Sequence, residues 1–314
     1  MEKRKKSLIV YNPTSGHAIS EDILNIYRKT LDERGYDVSI IPTEREGHAT
    51  EIVRDADDVD IVFSIGGDGT LNEVVKGNYL REKKIPICPI SAGTCNDVAS
   101  MLGYGKDPIK NLNIALDGIV EQVDIGMLNG DSPFAYVVGM GYFMNIPYET
   151  KGVDKRKNGY LAYIKAALPE IINKLKRYRT EVEVDGQKID GSYSLIMVSN
   201  SNHIAGIDGF HKDVCLDDGE MEVLLCKSGS KRQFIKNFLM HFLGRDTDEI
   251  ISLKGHDVSI KLLDKPDKNW CIDGEKLAYD GSEYKISVGK KMPFVTATGK
   301  NKKLFKKTDE VCKA

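Results

Sequence analysis

Short apolar runs alternate with helical patterns over the first ~130 residues. The runs are Ser7 to Tyr11, Val38 to Pro42, Val59 to Ile65 and Pro86 to Ile90, and helices are expected from Ser20 to Arg34, near Ala49, from Thr70 and from Asn96. This rhythm predicts a parallel sheet with crossover helices. Val59 to Ile65 and Pro86 to Ile90 are apolar on both faces rather than alternating, as expected of strands covered by helices on both sides. From Gly118 the texture changes. Asp-Gly pairs at 185–186, 190–191, 208–209, 218–219, 273–274 and 280–281 separate β-prone stretches such as Thr180 to Val184, Tyr193 to Ser199 and Met221 to Cys226. The second half therefore reads as antiparallel β, interrupted by helices at Asn158 to Lys176 and Lys231 to Leu243. The first of these carries Leu161, Ile164, Leu168, Ile171, Ile172 and Leu175 at three- and four-residue steps.

With 314 residues, 41% hydrophobic and 29% charged, the chain can build two medium domains. Its 45 Lys plus Arg against 47 Asp plus Glu leave a net charge of -2, so nothing draws it in bulk to nucleic acid or an anionic membrane. Nucleic acid is not an expected partner. The opening MEKRKKSLIVYNP is too short in apolar residues for a signal-peptide core, and no window reaches the ~18 apolar residues of a spanning helix. A cytoplasmic protein is expected. Six cysteines without a C-x-x-C pair read as reduced thiols, and six histidines without i, i+4 spacing predict no transition metal. The basic tail from Gly299 is expected to lie on the surface or fray.

The sharpest chemical signal is Gly66-Gly67-Asp68-Gly69-Thr70, which follows a buried strand and opens a helix. Glycines there let the backbone turn tightly and bring N–H groups to an anion, and the helix adds its positive end. Phosphate is the natural ligand. Thr70 and Glu73 are also spaced for a capping box. Asp68 inside the turn would repel phosphate unless a cation mediated, which Mg²⁺ between Asp68 and a nucleotide would do. Two more polar loops end strands of the same sheet, Asn12-Pro13-Thr14-Ser15-Gly16 and Ser91-Ala92-Gly93-Thr94-Cys95-Asn96-Asp97. Three such loops converging on one crevice make a nucleotide site, although each alone is an ordinary turn. The Walker and H-R-D patterns are absent, which excludes P-loop and protein kinases.

Taken in order, NPTSG, GGDGTLNEV, AGTCND, LDDGEMEV and IDGE resemble the diacylglycerol kinase catalytic family, which includes bacterial lipid kinases and the sphingosine and ceramide kinases. The resemblance spans nearly the whole chain. It implies a phosphofructokinase-like α/β nucleotide domain (1–127 plus about 295–314) and a β-sandwich-like lipid-substrate domain (128–294), with the C-terminal segment returning to the first. It implies ATP contacts at Asn12, Pro13, Thr14, Ser15, Gly16, Thr43, Gly66, Gly67, Asp68, Gly69, Thr70, Leu71, Asn72 and Thr94. Asp68, Asp97 and Asp124 match acidic positions that organise Mg²⁺ and phosphates. Asp218 matches a second Mg²⁺ position, with backbone carbonyls near Cys215 and Glu220 completing it. Glu275 matches the general base, and Asp68 is the competing base. One departure stands after Gly139-Met140-Gly141, where many members carry Asp-Ala and this chain has Tyr142-Phe143-Met144; it bears on the acceptor side of the cleft.

The implied reaction is phosphorylation of diacylglycerol or a close relative by ATP. A lipid acceptor requires visits to the membrane surface, for which Lys151 to Lys157, Lys174 to Arg179 and Lys231 to Met240 are basic-plus-apolar candidates. Each equally fits the solvated face of a packed helix. A homodimer is compatible with all of this. An NAD kinase-like enzyme with a soluble substrate shares the glycine loop but needs no LDDG and IDGE in this order. A non-catalytic sensor is disfavoured by the presence of Asp68, Asp97, Asp124 and Glu275 together.

Overall fold

The computed structural model describes residues 3–16, 19–93, 95–142, 144, 175–208, 211, 213–245, 247–267, 269–277, 281–298 and 302–306. They divide into two compact units. The first holds Met1–Val123, Cys215–Asp218 and Lys290–Ala314, and the second holds Asp124–Val214 and Gly219–Gly289.

In the first unit, strands β1 (Lys5–Tyr11), β2 (Tyr36–Pro42), β3 (Ile61–Gly66) and β4 (Ile87–Ser91) pair in parallel in the order β4-β3-β1-β2. Every residue of β3 is buried, as its doubly apolar pattern requires. Helices α1 (Glu21–Glu33), α2 (His48–Arg54), α3 (Asp68–Leu80), α4 (Asp97–Met101) and α5 (Pro108–Asp117) connect the strands. Helix α1 starts where its sequence says it should. The Ser20 hydroxyl accepts from the Ile23 N–H, and Leu24, Tyr27 and Leu31 turn one face inward. The start of α5, unforeseen in the sequence, is equally explicit: the Asp107 carboxylate accepts from the N–H groups of Ile109 and Lys110, with Pro108 in the first turn.

The expected capping box at Thr70 and Glu73 does not form. Helix α3 begins two residues early, at Asp68, with Gly67 as an N-cap that makes no side-chain hydrogen bond. Glu73 instead crosses to the start of α2, where its carboxylate accepts from the N–H groups of Gly47 (2.9 Å) and Ala49 (3.1 Å). A carboxylate at that end also complements the helix dipole.

The second unit is antiparallel, and its short pairings join β5 (Ile119–Leu128) to β6 (Ser132–Phe134), β9 (Gln187–Lys188) to the strand before it, and β12 (His203–Ile204) to β13 (Ile207–Asp208). One sheet has the order β15-β14-β11-β7-β17-β18, built from Ile250–Gly255, Met221–Cys226, Leu195–Ser199, Val137–Gly141, Cys271–Ile272 and Glu275–Lys276. The other contains β10 (Gly191–Tyr193), β8 (Tyr178–Val184), β16 (Asp257–Leu262) and the first half of β19 (Glu283–Thr296). Strand β16 alternates exposed and buried residues, and its inner positions Val258, Ile260 and Leu262 join Val138, Ile196 and Val223 of the other sheet in one core. Trp270 stacks on Tyr284 within it, ring centroids 4.1 Å apart.

Strand β19 continues into the first unit, where Phe294 pairs with Ile87 of β4 in parallel. The C-terminal segment thus returns as expected. Part of the basic tail is ordered: the Leu216 N–H donates to the Leu304 carbonyl, and the Lys306 N–H donates to the Asp217 carboxylate. Of the two helices expected in the second half, Lys231–Phe242 forms as α6. The other, Asn158 to Lys176, falls outside the described residues except for 175 and 176, which are irregular.

The Asp273-Gly274 pair turns β17 into β18 with both residues at positive φ, +46° and +83°, the two-residue hairpin geometry that Asp-Gly favours. The Asp273 carboxylate is buried and accepts three backbone N–H groups, from Ala135 (2.6 Å), Tyr136 (3.0 Å) and Val137 (3.1 Å). Asp273→Ala leaves those buried donors unpaired. The expected loss is at least ~3 kcal/mol of unfolding free energy, read as a lower urea midpoint, with Asp273→Asn recovering part of it.

Candidate active site

Three loops leave the carboxyl ends of β1, β3 and β4, neighbouring parallel strands, so they emerge along one edge of the first unit's sheet. Backbone bonds lace them together. The Asn12 N–H donates to the Ile65 carbonyl (3.0 Å), and the Ala92 N–H donates to the Gly66 carbonyl (2.8 Å). The Asn12 amide also reaches the Thr70 hydroxyl at 3.4 Å, and its oxygen accepts from the Thr14 N–H (2.8 Å) and hydroxyl (2.9 Å). Thr43, just past β2, donates its N–H to the Tyr11 carbonyl at 2.8 Å. Gly66, Gly67, Asp68, Ser64, Ser91 and Asn96 share the wall of a small pocket.

Glycine is demanded where two of these loops touch. A Cβ added at Gly93 would lie 2.5 Å from the Gly67 Cα and 2.8 Å from Asn96 Oδ1. Asn96 sits at φ +53°, a conformation Asn tolerates better than most residues, and its side chain clamps the loop by accepting from the Gly93 N–H (2.8 Å) and donating to the Gly93 carbonyl (2.9 Å). Asp68 completes the clasp. Its two carboxylate oxygens accept from the N–H groups of Asn96 (2.9 Å) and Asp97 (2.8 Å). The residue singled out as a metal organiser is therefore also the tie between the second and third loops.

Gly69, Thr70, Leu71 and Asn72 form the first turns of α3, with Thr70, Leu71 and Asn72 buried. Ser15 Oγ is buried and has no hydrogen-bond partner among the described residues. An orphaned hydroxyl in a glycine-bearing loop, beside a helix N-terminus, is a donor set that suits a phosphate. Thr94 lies outside the described residues.

The acidic positions are distributed over both units. Asp97 is buried at the start of α4. Asp124, buried in the second unit, accepts from the Gly219 N–H at 2.6 Å. Cys215 and Asp218 belong to the first unit and Glu220 to the second; the Asp218 carbonyl accepts from Lys306 Nζ at 3.5 Å, and the Cys215 thiol donates to Asp217. Among the described residues, no three His, Cys, Asp or Glu side chains converge as a complete metal shell.

Glu275 occupies the exposed strand β18, immediately after the hairpin that Asp273 anchors. Sequence reading weighed Glu275 and passed over Asp273, because the burial that gives Asp273 its role is a tertiary property. A second polar feature of this unit was also unforeseen. Ser199, Glu222 and Lys254 stand opposite one another on β11, β14 and β15, Glu222 and Lys254 being 3.5 Å apart. Ser199 Oγ lies 3.0 Å from Nε2 of the buried His211, whose Nδ1 has no partner among the described residues.

Glycine loops at the strand ends of a parallel sheet, continued in sequence by an antiparallel sandwich, define a two-domain phosphotransferase. Residues 6–128 match the diacylglycerol kinase catalytic domain, and residues 137–289 match the YegS C-terminal NAD kinase beta sandwich-like domain. A diacylglycerol kinase of Bacillus subtilis (strain 168) is 30% identical over 276 residues, 86% of this chain and 90% of that protein. One from Staphylococcus aureus (strain JH9) is 31% identical over 274 residues, 87% and 86% of the two chains. The crystal structure of a diacylglycerol kinase from Bacillus anthracis str. Sterne is similar in fold, with a TM-score of 0.71 at 22% identity, covering 95% of this chain and 98% of that one. The chain belongs to the diacylglycerol kinase family. It is therefore a kinase, and membership of a kinase family implies the use of ATP.

His211 makes the second unit sensitive to acid. Burial, then repulsion from His241 and Lys254, pushes its imidazole down to about 3. Above the ordinary value of 6.5 the folded and unfolded chains are both neutral at this site. Below it the unfolded chain takes up a proton that the native state refuses, so stability falls as pH falls. Between about pH 7 and about pH 5 the loss should be about 2 kcal/mol in the parent and largely absent in His211→Gln, measured by urea unfolding at both pH values.

Proposed function

We propose that this kinase transfers the γ-phosphoryl group of ATP, with Mg²⁺, to the hydroxyl of diacylglycerol or a related lipid alcohol at the membrane surface. The observation that carries the reading is the laced set of strand-end loops with its orphaned Ser15 hydroxyl and its Gly67–Gly93 approach. The relatives named diacylglycerol kinase support the choice of acceptor. ATP would be held by Asn12 to Gly16, Thr43 and Gly66 to Asn72, with Thr94, while Asp68, Asp97 and Asp124 would hold Mg²⁺ and a second ion would sit at Asp218 with the carbonyls near Cys215 and Glu220. Bound nucleotide and cation supply the transferable phosphoryl group and the neutralisation of its charge. In the transfer, the acceptor oxygen forms a bond to phosphorus as the bond to the β-phosphate oxygen breaks, and ADP leaves. Glu275 accepts the hydroxyl proton and holds that oxygen in line. Asp68 fixes the third loop through Asn96 and Asp97, so its charge and the loop's shape are set together.

A soluble acceptor is the second reading, favoured by the NAD kinase beta sandwich-like description of the segment 137–289. A screen of a total lipid extract and of NAD with labelled ATP separates the two: labelled lipid supports the proposal, and labelled NAD alone overturns it.

Glu275→Gln keeps shape and one acceptor but removes basicity, so turnover should fall by roughly 10²- to 10⁴-fold with ATP affinity nearly unchanged. If ATP binding weakens and turnover persists, the base assignment passes to Asp68. For Asp68→Asn the expected loss is on the order of 10³-fold in turnover with the fold retained by circular dichroism. Retention of more than about a tenth of the parent rate at saturating Mg²⁺ would remove Asp68 from the site. Chelation by EDTA should stop turnover and added Mg²⁺ restore it.

A further inference from the structure

Helix α6 (Lys231–Phe242) buries one side and leaves the other apolar. Its start is capped by the Ser230 hydroxyl, which accepts from the Gln233 N–H, so the helix is held firmly at that end. Phe234, Asn237 and Phe238 turn inward at i, i+3 and i+4, with the Phe234 and Phe238 rings stacked at 4.4 Å and Phe234 edge-on to Tyr142 at 4.6 Å. The outward side is not the polar face such a helix ordinarily presents. Ile235 is 48% exposed, Leu239 56%, Phe242 38% and the C-cap Leu243 63%, at i, i+4, i+7 and i+8, so they form one continuous stripe. Arg232 and Lys236 share that side, and among the described residues no carboxylate pairs with either. The helix sequence, KRQFIKNFLMHF, contains no acidic residue.

We propose that this outward face is the surface by which the protein docks on an anionic lipid bilayer, an inference that rests on the reading of its acceptor as a membrane lipid. A stripe of aliphatic and aromatic side chains flanked by guanidinium and ammonium groups matches the boundary between acyl chains and anionic headgroups, which neither element alone would do. With a net charge of -2 the whole chain is not attracted to such a surface, so the attraction must be local. A second copy fits the same face poorly, because the helix sequence holds no acidic residue and a helix-on-helix two-fold contact would offer Arg232 and Lys236 no counter-charge. In the other basic stretch among the described residues, Arg179 is paired to Asp264 (2.8 Å) and Lys176 to Asp267 (3.4 Å), and the apolar Tyr178 between them is buried. Lys151 to Lys157 lies outside the described residues. The helix is thus the one basic-plus-apolar candidate of the described chain whose apolar and cationic groups both face solvent.

The test is co-sedimentation with unilamellar vesicles, either phosphatidylcholine alone or equal parts phosphatidylcholine and phosphatidylglycerol, alongside kinase activity on detergent-dispersed diacylglycerol. The parent should bind the phosphatidylglycerol vesicles and leave phosphatidylcholine vesicles in the pellet alone. Ile235→Asp with Leu239→Asp should lower partition at least ~10-fold. Arg232→Gln with Lys236→Gln, which does not threaten folding, should lower it about 30-fold and flatten its dependence on salt. All variants should phosphorylate detergent-dispersed lipid as the parent does. Vesicle binding unchanged by both pairs of substitutions, or absent in the parent, overturns the docking face while leaving the lipid kinase reading intact. A parent that binds vesicles through α6 yet labels no lipid overturns that reading alone. Size-exclusion chromatography adds a last outcome: a parent dimer that Leu239→Asp converts to monomer without loss of vesicle binding makes the face an interface between copies.

Discussion

Gly67 and Gly93 bring two backbones closer than any side chain would allow, and the neighbouring loops are arranged around that approach. A Cβ at Gly93 would meet the Gly67 Cα at 2.5 Å. Because the loops cannot part without losing the Asp68 bonds to Asn96 and Asp97, the turn after β3 and the start of α4 behave as one piece. A site built in this way has little freedom left to lose when an anion binds, which is the form that preorganisation takes at strand ends. It also explains why an acidic residue can sit within a phosphate-type turn: backbone amides from the next loop meet its charge.

Carboxylates do similar work elsewhere. Asp273 holds three consecutive amides next to β7, Asp124 holds the Gly219 N–H, and Glu73 caps a helix other than its own. In each case an irregular stretch of backbone, which could not satisfy its N–H groups within a ladder, is satisfied by a carboxylate from a distant position. The second unit adds the Ser199–His211 pair and the Glu222–Lys254 pair across three strands. Polar groups at such depth make the register of β11, β14 and β15 specific, since a one-residue slip would turn them to the other face.

Local pattern was enough to read the alternation of the first unit, the buried strand before Gly66, the helix beginning near Ser20 and the Asp-Gly hairpins, because each is written within a few neighbouring residues. What escaped reading depends on partners far away. Thr70 and Glu73 have the spacing of a capping box, yet α2 lies within reach of Glu73 and offers two unsatisfied N–H groups, so the longer-range pairing prevails. Asp273 and Glu275 flank one glycine and look alike on paper; only the fold buries the first and exposes the second. Likewise His211 carries no motif, and its neighbour Ser199 comes from the end of β11. The glycine-loop site was legible in its composition and order, whereas the amide bonds that orient Asp68 were not.

The first unit is assembled from three separate stretches of chain, the last of them Lys290–Ala314. Phe294, fully buried, pairs beside β4, and the Leu304 carbonyl receives the Leu216 N–H. On the ribosome, therefore, β4 emerges some two hundred residues before the strand that covers its edge. Until then the sheet that carries the glycine loops has an open, apolar border, the kind of edge that invites mispairing. The edge of β4 is therefore closed only once the segment around Phe294 has been made.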